Sequence, residues 1–142
     1  MIRACAALLV ALALVAPAAA FAESLVHVTF DGRPVDRSGG IAVVRGGVVY
    51  ADVVDLTKAF DGLLTTHGSS VVVTVNATTA TFTAGRRIAT MQAGAVGLRG
   101  APFYRHGDLY VPLDAYVVRV AGARLRVRAN QAAIYVNANP LS

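Results

Sequence analysis

The sequence contains little of the side-chain chemistry from which most catalytic and metal sites are built. Among its 142 residues there are one cysteine, three histidines and no tryptophan. The cysteine, Cys5, lies in an apolar amino-terminal run, so the chain beyond that run has no thiol. Disulfides, cysteine-ligated metals and a cysteine nucleophile are therefore excluded there, and stability has to come from buried apolar surface.

Glutamate and lysine are equally scarce. Glu23 is the only glutamate and Lys58 the only lysine, so nearly all of the positive charge is arginine. The formal net charge is +5, and it is +4 when Arg3 of the amino-terminal run is left out. A modest positive charge favours anionic partners weakly and gives no indication of nucleic-acid binding. We therefore expect no nucleic-acid partner.

The amino-terminal run, Met1 to Ala22, has the pattern of a secretory signal peptide. Arg3 supplies the positive charge before the apolar stretch Ala4 to Val15, which is shorter than the roughly 20 residues of a membrane span. Small residues at Ala20 and Ala22 predict cleavage before Glu23. We expect a soluble protein, secreted or periplasmic, with no membrane span after cleavage.

Short runs rich in β-branched residues, several of them alternating apolar and polar, predict strands. The predicted strands are Leu25 to Phe30, Ile41 to Val44, Val48 to Ala51, Val71 to Asn76, Thr79 to Thr83, Arg87 to Met91, Phe103 to Tyr104, Leu109 to Val111, Arg124 to Arg128 and Ala133 to Asn137. Asp31-Gly32 and Arg45-Gly46-Gly47 predict tight turns, because glycine accepts a positive φ without a Cβ clash. Gln92 to Gly100, with three glycines, predicts a loop.

Two segments have apolar residues at helical spacing. These residues are Val53, Leu56 and Phe60 in the first segment, and Leu113, Tyr116, Val117 and Val120 in the second. Asp52 is placed to cap the first helix and Gly62 to end it, while Pro112 fits the first position of the second. The second helix is weakened by its valines, which lose rotamer freedom in a helix, and part of it could be extended.

The two helical segments belong to a pattern that occurs twice. Arg45 to Val53 and Arg105 to Leu113 share arginine, glycine and tyrosine at a spacing of 60 residues, and Val73 to Asn76 matches Ile134 to Asn137 at 61. The sequence predicts an α+β fold with a mostly antiparallel sheet. We expect one domain, 23–142, made of two strand-turn-strand-helix-strand units at about 25–78 and 79–139, with one short helix per unit packed on the sheet.

The segment Ala101 to Leu113, with its Tyr110-Val111-Pro112-Leu113 sequence, resembles the repeat segment of the copper amine oxidase N-terminal, or stalk, domain family. Arg45 to Phe60 resembles a degenerate first copy, and Thr81 to Met91 resembles the hairpin between the copies. Asp52 stands where that family has proline, and Asp114 where it has arginine. The resemblance implies an accessory envelope module, because the oxidase chemistry of such proteins belongs to a separate, larger domain.

The most unusual surface feature is an alternating arginine strand. Period-two spacing places Arg124, Arg126 and Arg128 on one strand face, and Arg119 is a candidate to extend the patch. Guanidinium groups in a row are suited to phosphate or carboxylate groups of an envelope polymer or a partner protein. A solvated face, or a charged edge strand that prevents aggregation, explains the same pattern without a ligand.

The remaining polar residues predict no catalytic site, cofactor or metal. No two of His27, His67 and His106 lie close in sequence, and Ser69-Ser70 has the composition of a turn. The function expected is a secreted, non-catalytic stalk-like module that binds an envelope polymer or a partner protein. The alternatives are an exported metal-handling protein or small enzyme that uses scattered His, Asp and Tyr residues, and non-specific binding of anionic polymers.

Overall fold

The structure, a computed structural model, describes residues 24–35 and 41–136. The predicted signal peptide and its cleavage site lie outside the described residues. The strands are β1 (Ser24–Phe30), β2 (Arg33–Pro34), β3 (Ala42–Arg45), β4 (Val48–Asp52), β5 (Leu63–His67), β6 (Ser70–Val75), β7 (Thr78–Thr83), β8 (Ile88–Met91), β9 (Gly94–Gly97), β10 (Phe103–Arg105), β11 (Asp108–Pro112), β12 (Arg124–Arg128) and β13 (Gln131–Tyr135). The helices are α1 (Val53–Ala59) and a π-helix (Ala115–Val120).

The described strands form two sheets. The larger runs in the order β10-β11-β4-β3-β1-β13-β12, with β2 beside β1, and the smaller runs β5-β6-β7-β8-β9. All pairs are antiparallel except β1 with β13, in which His27 lies opposite Gln131. The α+β class and the mostly antiparallel pairing are therefore confirmed, although the strands divide between two sheets instead of one.

Tight turns close the hairpins where the sequence predicts them. Asp31 and Gly32 have φ of 50° and 84° between β1 and β2, and Gly46 and Gly47 have φ of 59° and 78° between β3 and β4. Two consecutive residues with positive φ match the right-handed twist of the flanking strands. The Gly46-Gly47 turn brings β3 against β4 with Val43 opposite Tyr50.

Helix α1 begins where the sequence predicts it and ends at Ala59, three residues before the predicted glycine, Gly62. The Asp52 carboxylate accepts a hydrogen bond from the Val54 N–H at 2.9 Å, which satisfies a backbone donor of the first turn. Asp61, not Gly62, takes the left-handed conformation after the helix, with φ of 57°. The Gly62 N–H still donates to the Thr57 carbonyl at 2.8 Å.

The second helix is wider than an α-helix. Pro112 is the last residue of β11, not the first of the helix, and the six residues that follow Asp114 form a π-helix. The Ala121 N–H donates to the Tyr116 carbonyl at 2.9 Å, five residues back. The β-branched valines that weaken an α-helix at this point are accommodated in the wider turn, not in an extended segment.

One apolar core includes residues of both sheets and both helices. It contains Val26 and Val28 of β1, Val71, Val73 and Val75 of β6, Ala80 and Phe82 of β7, Val53 and Leu56 of α1, and Leu113, Tyr116, Val117 and Val120 at the second helix. The two predicted helical stripes and the alternation along β1, β6 and β7 are thus confirmed as core positions. No helix among the described residues is long and apolar enough to cross a membrane.

Three strands, the two-residue β2 together with β5 and β9, are absent from the predicted strands. β9 lies inside the segment predicted as a loop, and its Gly94 and Gly97 pair with Met91 and Ile88 of β8. β5 follows α1 and pairs along its length with β6. The compositions of β5 and β9 do not predict strands. Both strands form because an adjacent strand supplies their hydrogen-bonding partners.

Candidate anion-binding surface and buried polar groups

The three arginines of β12 lie on one exposed strand face, as the alternation predicts. Arg124, Arg126 and Arg128 are exposed, whereas Leu125 between them is partly buried against the core. Among the described residues, β12 is the last strand of the large sheet, so the row runs along a sheet edge. Residues two apart on a strand are separated by about 6.8 Å, which sets the spacing of the three guanidinium stems.

The strand beside this arginine row carries no charge opposite it. Arg124, Arg126 and Arg128 lie opposite Tyr135, Ala133 and Gln131 of β13, in that order. Directly opposed residues share a face of the sheet. The row is therefore a run of cations without a carboxylate in its registered neighbours, and Tyr135, 40% exposed, adds an aromatic ring at one end.

Arg119 occupies a different surface from the arginine row. It is an exposed residue of the π-helix, and it lines a groove of about 350 Å³ together with Val96 and Leu98. A second section of about 510 Å³ joins Arg119 to the β8–β9 turn. The structure therefore associates Arg119 with the small sheet, while the arginines of β12 point outward from the large one.

The three histidines lie apart in the fold, whereas Ser70 lies directly opposite His67 in the β5–β6 pairing. His27 is exposed on β1, His67 ends β5, and His106 is in the β10–β11 turn with φ of 54°. Within residues 24–35 and 41–136, no three His, Cys, Asp or Glu residues are grouped as metal ligands. The Ser70 hydroxyl hydrogen-bonds Thr83 across β6 and β7 at 2.7 Å.

Asp52, which is buried, and Asp108, which is partly buried, form a carboxyl pair that links the two predicted units. The sequence predicts the helix cap that Asp52 forms but not this pair. Asp52 is fully buried at the start of α1, where it caps the helix. The β4–β11 register places it opposite Tyr110 and lets its carboxyl group hydrogen-bond that of Asp108. Burial, the Asp108 hydrogen bond and the Asp55 charge together raise the pKa of Asp52 to about 7.

A small aromatic cluster lies on the outer face of the large sheet. Tyr50 and Tyr110 are buried there with Phe103, whose ring is 4.7 Å from that of Tyr50 between centroids. Arg45 lies over the Phe103 ring at 3.6 Å, and Arg105 donates a hydrogen bond to the Tyr110 hydroxyl at 2.9 Å. Both tyrosine rings are therefore packed within the fold.

Electrostatics at this cluster follow from burial and from the neighbouring arginines. Burial raises the pKa of Tyr50, and the positive charges of Arg45 and Arg87 partly offset that rise. Gly100 lies against the Tyr50 hydroxyl so closely that a Cβ atom there would overlap it. The loop after β9 is therefore fixed over the aromatic cluster.

The two helices are joined by one buried hydrogen bond. The Thr57 hydroxyl donates to the Val53 carbonyl at 2.7 Å, so the Tyr116 hydroxyl, also 2.7 Å away, is the donor to Thr57. Burial raises the pKa of Tyr116 to about 12. Both side chains are structural, since their polar atoms are used within the core.

Comparison with known proteins adds no further information. No protein-family model, no curated protein and no solved structure matches this chain.

Proposed function

We propose that this chain is an exported, non-catalytic module of the stalk type that binds an anionic polymer of the cell envelope through the arginine row. The observation that supports it is the exposure of Arg124, Arg126 and Arg128 on one face of an edge strand. Their registered partners on β13 carry no carboxylate that would neutralise them. Such a row has unused capacity for anionic hydrogen-bond acceptors.

The spacing of the row favours a polymer over a small anion. Three arginine side chains that leave the strand at about 6.8 Å intervals can present their guanidinium groups to carboxylate or phosphate groups that repeat along a polymer. Each single exposed contact is weak, on the order of 1 kcal/mol or less. Several contacts on one flexible chain act together, because binding of the first raises the effective concentration of the next.

The proposal includes the two-unit architecture of the stalk family. Tyr50 lies opposite Pro112 and Tyr110 lies opposite Asp52, with Ala51 opposite Val111 between them. Because the two segments match at a spacing of 60 residues, exchanging one for the other leaves this pairing unchanged. That register is the arrangement expected of two related units that face each other about a local two-fold axis.

The test uses polymers of defined chemistry. We expect the chain to be retained on immobilised polygalacturonate, which presents carboxylates, or on immobilised polyphosphate, and the preferred resin identifies the anion. The triple variant R124S/R126S/R128S removes the row and is expected to weaken retention at least tenfold. Sedimentation of the same variant at rising concentration measures whether the row also prevents edge-to-edge association.

A matched control separates the row from net charge alone. R33S/K58S/R86S removes three exposed cations that lie on β2, on α1 and in the β7–β8 turn. We expect this variant to retain binding. Equal loss in the two triple variants, or retention that disappears at moderate salt in every protein, would reduce the function to non-specific charge attraction. Unchanged retention of R124S/R126S/R128S would show that the arginine row takes no part in binding.

A further inference from the structure

A groove runs between the edge of the small sheet and the π-helix, and nothing in the proposed function uses it. Its central section, about 350 Å³, has Val96 and Leu98 on one wall and Val118 and Arg119 on the other. The section of about 510 Å³ along the β8–β9 turn shares Val96 and Arg119 with it. We call this continuous surface the β9 groove.

The groove continues beyond its central section toward the reverse of β12. Arg99 and Asp114 line both the central section and a smaller one of about 150 Å³. That smaller section ends at Leu125 and Val127, which alternate with the arginines of β12 and so point to the opposite face. The β9 groove is therefore distinct from the arginine row.

The strand that lines this groove is an edge without protection. β9 is the last strand of the small sheet in the part of the chain that the structure describes. Its sequence, Gly94-Ala95-Val96-Gly97, contains no charge and no proline. Edge strands that are not blocked in this way present backbone N–H and C=O groups on which another strand can pair. β12, the edge strand of the large sheet, differs because its three arginines place charge along the edge, which protects it against pairing with another strand.

The charges of the groove indicate what would pair there. Arg119 is exposed, and the Arg99 side chain is 76% exposed while its Nε lies 3.6 Å from an Asp114 carboxylate oxygen. Two cations thus face the groove against one carboxylate, and apolar Val96 and Val118 lie between them. A segment that alternates carboxylate and β-branched side chains complements both properties.

We propose that the β9 groove binds an extended, acidic segment of a partner protein, which adds to β9 as a sixth strand of the small sheet. Main-chain hydrogen bonds to β9 provide affinity, and carboxylates that pair with Arg119 and Arg99 provide specificity for an acidic segment. A second copy of this chain is the poorer occupant, because pairing two β9 edges would bring like-charged Arg119 side chains from both copies toward the same interface.

The experiment titrates the isotopically labelled chain with synthetic peptides and follows backbone amides by NMR. The probe is the capped hexapeptide Glu-Val-Thr-Val-Glu-Val. We expect shifts at residues 94–98 and 115–119, and at least tenfold weaker binding when both glutamates are replaced by lysine. A peptide with proline in place of the threonine loses a main-chain donor and is also expected to bind at least tenfold more weakly.

A charge reversal in the chain completes the test. R119E should lower affinity for the acidic peptide at least tenfold and raise it for the lysine peptide, whereas R86E, an exposed arginine in the β7–β8 turn, should change neither. Absence of shifts at residues 94–98 with millimolar peptide, or equal binding of the proline peptide, overturns the proposal. Shifts confined to β12 assign the binding to the arginine row, and concentration-dependent shifts at β9 without peptide assign the groove to a second copy. Either outcome also overturns it.

Discussion

Substitution of Asp52 by asparagine is expected to make the protein more stable at neutral and alkaline pH. Asp52 is fully buried, and its carboxyl group hydrogen-bonds that of Asp108 with Asp55 close by. Asparagine keeps an oxygen that accepts from the Val54 N–H, and its amide can donate to the Asp108 carboxylate. The variant D52N therefore preserves the helix cap and removes a charge that the fold disfavours.

The size of the effect follows from the pKa of Asp52. In the folded chain it is raised from 3.8 to about 7, so between these pH values the folded state holds a proton that the unfolded chain releases. Stability falls as pH rises through this window, and the loss is complete above it. At about 1.4 kcal/mol per pKa unit, the full loss is roughly 4 kcal/mol, of which about 3 kcal/mol falls between pH 5 and pH 8.

The assay is urea denaturation of the wild type and of D52N at pH 5 and pH 8, followed by far-ultraviolet circular dichroism. We expect the free energy of unfolding of the wild type to fall by about 3 kcal/mol more than that of D52N between these pH values. The two proteins differ only at residue 52, so the difference between them isolates the contribution of that side chain. D61N, which removes an exposed carboxylate just after α1, serves as the control and should follow the wild type. Parallel loss of stability in wild type and D52N would refute the reasoning.

Two further stability predictions concern contacts described above. G100A places a methyl group against the Tyr50 hydroxyl and is expected to cost about 1–3 kcal/mol in thermal or urea denaturation. Its control, G97A, meets no atom within 4 Å and should be near neutral; equal losses would contradict the packing argument. T57V leaves the buried Tyr116 O–H without its acceptor and should cost about 1–3 kcal/mol. Adding Y116F to T57V should recover part of that loss, and a double variant whose cost equals the sum of the single ones would show that Thr57 and Tyr116 are not coupled.

The tight turns of the hairpins and the amino-terminal cap of α1 were predictable because their causes are local. Asp31-Gly32 and Gly46-Gly47 adopt the positive φ that their residues favour, and Asp52 caps the helix that follows it directly. β9 could not be predicted, because glycine-rich segments have low strand propensity and only the neighbouring β8 supplies its partners. The π-helix could not be predicted from the sequence either, although the sequence does show that its valines are weak α-helix formers.

The candidate site likewise contains some features that the sequence predicts and others that it does not. The common face of Arg124, Arg126 and Arg128 follows from period-two geometry alone. The contact between Asp52 and Asp108 requires the register of β4 against β11, which residues far apart in sequence determine together. The groove that contains Arg119 depends on how the π-helix packs against the small sheet, and no spacing of residues in the sequence predicts that packing.

The parallel pairing of β1 with β13 has a consequence for the order of folding. His27 and Gln131 lie opposite each other on neighbouring strands of the large sheet and are separated by more than 100 residues of chain. Contacts of such long range form slowly, because the loop entropy is lost before the pairing is gained. We expect the small sheet and the local hairpins to form first and the large sheet to close last. A chain shortened before Gln131 would leave β1, with its buried Val26 and Val28, as an open and aggregation-prone edge.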